Sequence, residues 1–89
     1  MKPAISREAF AEFCESKPAD EEYDYFDGTK CAFAQFLTSI GKRDPLVFGR
    51  IWRADGRPEE HAIPHGVAMA LSYEPYTFGA LAARLREAV

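Results

Sequence analysis

Four stretches of the chain repeat apolar residues at intervals of three and four positions, which is the spacing of a helix with one buried face. The most regular stretch consists of Phe33, Phe36, Leu37 and Ile40. It predicts a second helix of the chain, capped by Asp27 or Thr29. Gly41 then favours the end of this helix just after Ile40.

The other three stretches predict three further helices. Ser6 can cap a first helix over residues 7–17, which Pro18 ends. Pro64 suits the first turn of a third helix, and Thr77 can cap the last one. The residues expected on the buried faces are Phe10, Phe13 and Cys14 in the first helix, Val67, Ala70 and Leu71 in the third, and Phe78, Leu81, Ala82 and Leu85 in the last.

Residues 46–54, between the second and third predicted helices, are rich in β-forming side chains. Asp55-Gly56 is a favoured two-residue turn, so we expect a β-hairpin with residues 57–63 as its second strand. Pro58 has no amide N–H and restricts that strand to an edge. We therefore predict a small α+β, mainly helical fold in a single domain, residues 1–89, with the order helix, helix, β-hairpin, helix, helix.

Composition supports a folded protein in the cytoplasm, with 47% hydrophobic and 28% charged residues. The longest apolar run, residues 67–71, is far shorter than the roughly 20 residues that cross a bilayer. Residues 1–4 open no signal peptide, so we expect no membrane partner. Cys14 and Cys31 are expected as free thiols in the core, with a disulfide between them as the alternative.

Charge is distributed unevenly along the chain. Residues 1–27 contain eight acidic and three basic residues, a net charge of −5, whereas residues 28–89 have a net charge of +2. The protein is therefore expected to have an acidic side and a weakly basic side. An overall charge of −3 is unlike that of a general nucleic-acid-binding protein, which is usually basic.

No arrangement of residues predicts catalysis or a cofactor. His61, His65, Cys14 and Cys31 are the four side chains that a zinc site would use, but structural zinc sites take cysteines in close pairs, which these are not. Cys31 lies near a predicted helix start without a Cys-His-Asn signature. We therefore expect no enzyme, no metal and no cofactor, and keep a small thiol or metal enzyme as the third hypothesis.

The densest polar feature is a run of carboxylates and tyrosines, and it is the predicted partner-binding site. Its residues are Asp20, Glu21, Glu22, Tyr23, Asp24 and Tyr25. Tyrosine rings supply rigid apolar area and carboxylates attract a basic partner, so the run is suited to a protein interface. The alternative is that Asp24 and Asp27 serve as helix caps and that Phe26 or one tyrosine belongs to the core.

A second candidate site is basic and aromatic. Its residues are Arg50, Trp52, Arg53 and Arg57. Such alternation occurs in proteins that bind single-stranded nucleic acid, so the alternative function is a nucleic-acid-binding accessory protein. The competing interpretation is that Trp52 packs on a helix while the arginines pair with Glu59 and Glu60.

Three segments, Tyr23-Asp24-Tyr25, residues 31–37 and residues 76–81, resemble short segments of small phage and prophage proteins. The small size and acidic balance also resemble the anti-CRISPR proteins, phage-encoded inhibitors of CRISPR-Cas complexes. This resemblance implies an inhibitor in the host cytoplasm that binds a basic surface of a CRISPR-Cas effector. Its carboxylates would occupy the path of the nucleic acid and block access by occlusion, so binding should weaken with salt.

Overall fold

Residues 4–87 are described here from a computed structural model. The elements are α1 (Arg7–Glu15), α2 (Ala32–Ser39), β1 (Leu46–Phe48), β2 (Ile51–Arg53), β3 (His61–Ala62), α3 (Val67–Leu71) and α4 (Phe78–Arg86). The fold is α+β and mainly helical, and the predicted class and order of elements are confirmed. Residues 1–3, on which the expectation about a signal peptide also rests, lie outside the described part.

Helices α1 and α4 begin where their side-chain caps were predicted. The hydroxyl of Ser6 accepts a hydrogen bond from the amide of Ala9 at 3.1 Å, and the hydroxyl of Thr77 accepts one from Ala80 at 3.3 Å. The two helices pack against each other. Arg86 joins them on the surface with two hydrogen bonds to the Glu15 carboxylate, at 2.8 and 2.9 Å, and these bonds lower the pKa of Glu15.

Helix α2 begins later than predicted, and neither Asp27 nor Thr29 caps it. The Asp27 carboxylate instead accepts from the amide and the hydroxyl of Thr29, at 2.8 and 2.6 Å, which lowers the pKa of Asp27. The Asp27 carbonyl accepts from the amides of Lys30 and Cys31. These bonds hold the segment in a turn, so the helical backbone starts only after Cys31. At the other end Ile40, predicted to face the core, follows the last helical residue and is 38% exposed.

The three strands form an antiparallel sheet in the order β1-β2-β3, with one strand and one tight turn more than the sequence predicted. The tight turn is Gly49-Arg50, because Phe48 pairs with Ile51 and Gly49 adopts a φ of 59° that glycine tolerates well. The predicted turn at Asp55-Gly56 is confirmed, since both residues have a positive φ, of 62° and 68°, and the amide of Arg57 donates to the Ala54 carbonyl at 3.1 Å. The amide of Asp55 donates to the Arg43 carbonyl at 2.7 Å, and the Asp55 carboxylate accepts from the Arg43 amide at 2.8 Å. These bonds hold Asp55 in the loop between β2 and β3.

The core lies among the helices and one face of the sheet. Its largest fully buried side chains are Phe10, Phe33, Phe78, Leu37, Leu81, Val67 and Cys14. Both cysteines are buried free thiols, as expected, and burial raises the pKa of Cys14 to about 12. Within residues 4–87, no helix has the length and apolar character needed to cross a membrane.

Candidate interaction surface

The segment of residues 20–27, here called the acidic loop, is fixed to the start of α4 by main-chain hydrogen bonds. The amide of Tyr23 donates to the Tyr76 carbonyl at 3.0 Å, and the amide of Phe78 donates to the Glu21 carbonyl at 2.9 Å. Glu22 and Thr77 form an isolated antiparallel bridge between these bonds. The loop therefore presents its side chains from a held backbone.

Tyr23 is buried in the core and does not present its ring to a partner, which corrects its assignment to the contact surface. Only 4% of the residue is exposed. Its hydroxyl donates to the Leu71 carbonyl at 3.0 Å and accepts from Arg84 at 3.2 Å, and its ring contacts those of Tyr76 and Phe78. Burial raises the pKa of Tyr23 to about 12. Tyr23 therefore holds the acidic loop against the core.

Carboxylates occupy the outer side of the acidic loop. Asp20, Glu22 and Asp24 are exposed, whereas Glu21 is half-buried and pairs with Lys17 at 3.4 Å. The Asp24 carboxylate also accepts a hydrogen bond from the Phe26 amide at 3.2 Å, which shapes a local turn. The acids therefore face solvent while one of them also sets the position of Phe26.

Phe26 projects from this turn into solvent with 83% of its surface exposed. Its ring packs edge-to-face with the rings of Tyr25 and Tyr76, at centroid distances of 5.1 and 5.9 Å. Tyr25 in turn stacks on Tyr76 at 5.1 Å with 22° between the ring planes. Phe26 was expected in the core as an alternative and was not among the predicted partner-binding residues, so the core alternative is wrong for Phe26. The sequence did contain a reason to expect Phe26 at the surface, because Phe26 lies between two turn-forming aspartates and outside every helical stripe.

The second predicted site does not form one surface. Trp52 is 6% exposed and stacks on His61 at 4.5 Å, so its ring is unavailable for a base; the hypothesis of nucleic-acid binding through Trp52 is wrong on this point. Trp52 and Arg53 are neighbours in β2, so their side chains face opposite sides of the sheet. The Arg53 guanidinium lies 5.0 Å from the centroid of the Phe48 ring. Arg57 is exposed in the loop after β2, and Arg50 is exposed on the tight turn.

Arg50 belongs to a different feature, an open groove of about 940 Å³ that we call the basic groove. Its charged lining consists of Arg7, Arg50, Arg84 and Glu87, and His65 lies beside them. Its less polar lining includes Tyr25, Met69 and Tyr73. A smaller cavity of about 390 Å³ lies on the other side of Tyr25, between the acidic loop and β1. Tyr25 therefore belongs to the acidic loop and also lines the basic groove.

The histidines, acidic residues and cysteines bear on the third hypothesis, a small thiol or metal enzyme. Among residues 4–87, no three His, Cys, Asp or Glu side chains come together in a way that could hold a metal ion. Cys14 and Cys31 are buried, and burial raises the pKa of both thiols. A raised pKa disfavours the thiolate that a nucleophilic cysteine needs.

Comparison with known proteins adds no family to these observations. No protein-family model, curated protein or solved structure matches the chain. The acidic loop and the basic groove therefore carry the functional interpretation by their own geometry and charge.

Proposed function

We propose that this chain is an interaction protein of the phage-inhibitor type, which binds a basic surface of a host complex through the acidic loop. The observation that carries the proposal is Phe26, a phenylalanine 83% exposed on a loop that main-chain hydrogen bonds hold in place. Aromatic anchors of this kind dominate binding at the centres of protein interfaces. Burying such a side chain in a partner pocket contributes roughly 1.5–3 kcal/mol to binding.

Preorganisation supports the same proposal. The Asp24 carboxylate holds the Phe26 amide, and the rings of Tyr25 and Tyr76 flank the Phe26 ring. A side chain that is already positioned loses less conformational entropy when it binds. Phe26 would therefore enter a pocket without rearrangement of the loop.

Charge defines the partner that this loop suits. Asp20, Glu22 and Asp24 are exposed, and within residues 4–87 none of them forms an ion pair. They lie on the same loop as an apolar anchor, so the complementary surface is an apolar pocket with lysines or arginines near it. The carboxylates would steer association and make its rate sensitive to salt.

Lysines and arginines line the path by which a protein complex takes up nucleic acid, so such a path supplies the basic part of the complementary surface. The CRISPR-Cas effector implied by the resemblance stays the predicted partner. In that setting the acidic loop would occupy the nucleic-acid path and block access by occlusion.

Affinity capture tests the proposal with matched charge reversals. The tagged protein is immobilised and exposed to purified CRISPR-Cas effector complexes and, separately, to bacterial lysate. The loop variant carries Asp20→Lys with Glu22→Lys, and the control carries Glu59→Lys with Glu60→Lys, two exposed acids in the loop after β2. We expect the loop variant to lose the captured partner and the control to keep it.

A third variant, Phe26→Ala, separates the anchor from the charge. It should weaken binding at least about tenfold, which corresponds to about 1.4 kcal/mol. Circular dichroism and urea unfolding confirm that each variant is folded. Equal loss of binding in the control pair, or full binding by folded Phe26→Ala, would contradict the site assignment. The absence of any partner whose capture depends on the acidic loop would contradict the proposed function.

A further inference from the structure

The basic groove gathers three arginines from distant parts of the chain. Arg7 begins α1, Arg50 lies on the turn between β1 and β2, and Arg84 lies in the last turn of α4. The one carboxylate in the lining is Glu87. Three guanidinium groups and one carboxylate give the groove two net positive charges, on a protein whose overall charge is −3.

Two of these arginines are positioned by main-chain carbonyls, which orient a guanidinium without neutralising it. Arg84 donates from Nε to the Ala70 carbonyl at 2.8 Å and from Nη1 to the Pro75 carbonyl at 3.4 Å. Arg7 donates to the carbonyls of Leu85 and Glu87 at 3.1 and 3.3 Å. Each guanidinium therefore keeps its full charge while its plane is fixed.

Gly66, just before α3, lies close to the guanidinium of Arg7. A Cβ atom at Gly66 would lie 2.7 Å from Nη1 of Arg7, a distance that real side chains do not allow. The guanidinium would therefore have to shift if residue 66 carried a side chain. Nη1 forms no hydrogen bond within residues 4–87, so it is available to a bound anion.

Arg50 differs from Arg7 and Arg84 because no main-chain carbonyl among residues 4–87 holds its side chain. It is exposed, and in the described part of the chain its guanidinium makes no hydrogen bond or ion pair. Its main chain is held by the tight turn between two paired strands. Arg50 can therefore close on a ligand while its backbone stays in place.

Exposed flat and apolar side chains line the same groove. Tyr73 is 55% exposed and Met69 is 60% exposed, and Tyr25 stands against Tyr76 as a stacked pair. Aromatic faces of this kind stack on nucleobases, each contact being worth roughly 1–3 kcal/mol. The groove thus combines a place for an anion with a place for a flat ring.

We propose that the basic groove binds a nucleotide, with the phosphate at Arg7, Arg50 and Arg84 and the base against Tyr25 or Tyr73. A phosphate monoester dianion matches the two net positive charges of the groove, and guanidinium groups suit phosphate geometry. The volume of about 940 Å³ falls within the roughly 300–1,000 Å³ of small-ligand sites. This proposal does not depend on the carboxylates of the acidic loop, although Tyr25 of that loop lines the groove, and its site uses neither Trp52 nor Arg53.

Adenosine monophosphate is the first probe, titrated into the full chain at about 50 mM salt and followed by amide chemical shifts. Inorganic phosphate and adenosine test the two halves of the ligand separately. A labelled oligothymidylate of about eight nucleotides tests whether the nucleotide comes from a single strand. We expect saturable binding of the nucleotide, with shifts around Gly49, Arg50 and Tyr73, that exceeds the binding of either half.

Arg50→Ala should weaken this binding about tenfold or more. The matched control is Arg57→Ala, which removes another exposed arginine outside the groove. Binding of adenosine monophosphate supports a free nucleotide, and binding of the oligothymidylate alone supports a single strand as its source. The proposal is overturned if inorganic phosphate or adenosine binds as well as the nucleotide, if both alanine variants lose binding equally, or if no probe binds at about 1 mM.

Discussion

The acidic loop and the basic groove lie next to each other, with Tyr25 bordering both, and they are built in opposite ways. The loop is one continuous segment whose exposed carboxylates are close neighbours in the sequence. The groove takes Arg7, Arg50 and Arg84 from three separate elements, and carbonyl oxygens position two of them. A local cluster of charge can be read from a sequence, whereas convergence of distant charges depends on the fold.

Both regions rest on the same buried residue. The hydroxyl of Tyr23 bonds Leu71 and Arg84, and its main chain and ring fix the acidic loop to Tyr76. Tyr23 thus connects the loop that it belongs to with the arginine that lines the groove. Changes at Tyr23 should affect both regions, whereas changes at the exposed residues should affect only one.

The largest effect is expected from Tyr23→Ala, because it removes a large core ring together with the hydroxyl bonds. We expect a loss of about 3–5 kcal/mol in the free energy of unfolding, measured with urea. Tyr23→Phe retains the ring but leaves the Leu71 carbonyl without its donor, so its loss should be about 1–3 kcal/mol. A loss below about 1 kcal/mol in Tyr23→Ala would show that the two regions do not share this support.

A second loss of stability is expected at alkaline pH. Burial raises the pKa of Tyr23 to about 12 from an ordinary 10.0, and that of Cys14 to about 12 from 9.0. The folded chain therefore holds these protons more tightly than the unfolded chain does. Their contribution to stability is complete below about pH 9 and is lost as the pH rises towards about 12.

The tyrosine part of this loss amounts to about 2–3 kcal/mol, at about 1.4 kcal/mol for each tenfold change in proton affinity. Urea midpoints measured at several pH values from about 8 to 11 give the slope. Tyr23→Phe should show a shallower decline than the unaltered chain, since only the two buried thiols, Cys14 and Cys31, then contribute. Identical slopes in the two proteins would contradict the role of the Tyr23 phenol.

The smallest effect on stability is expected from the exposed residues that the two proposals depend on. Phe26→Ala and Arg50→Ala should each change the free energy of unfolding by less than about 1 kcal/mol, because Phe26 is 83% exposed and Arg50 is exposed on a turn. Urea unfolding of both variants measures this. If Phe26→Ala costs more than about 2 kcal/mol, its ring supports the fold and is not primarily a contact for a partner.

The sequence predicted the helices better than the sheet. Ser6 and Thr77 cap α1 and α4 as expected, since an N-cap depends only on residues within one turn. The start of α2 was missed because Asp27 forms a turn with Thr29 before the helix begins. The Asp55-Gly56 turn forms as predicted, but the turn at Gly49-Arg50 was missed because residues 46–54 were expected to form one strand.

The same division applies to the candidate surfaces. By itself the sequence determined the fold class, the buried helical faces and the position of the acidic loop, because these depend on periodicity and on neighbours a few residues apart. Only the tertiary structure decided that Tyr23 is buried and Phe26 is exposed. Tyr23 bonds partners 48 and 61 residues away, and contacts across such distances exist only once the chain has folded. The basic groove follows from the same long-range packing, which brings Arg7 to the end of α4 and Arg50 to the same opening.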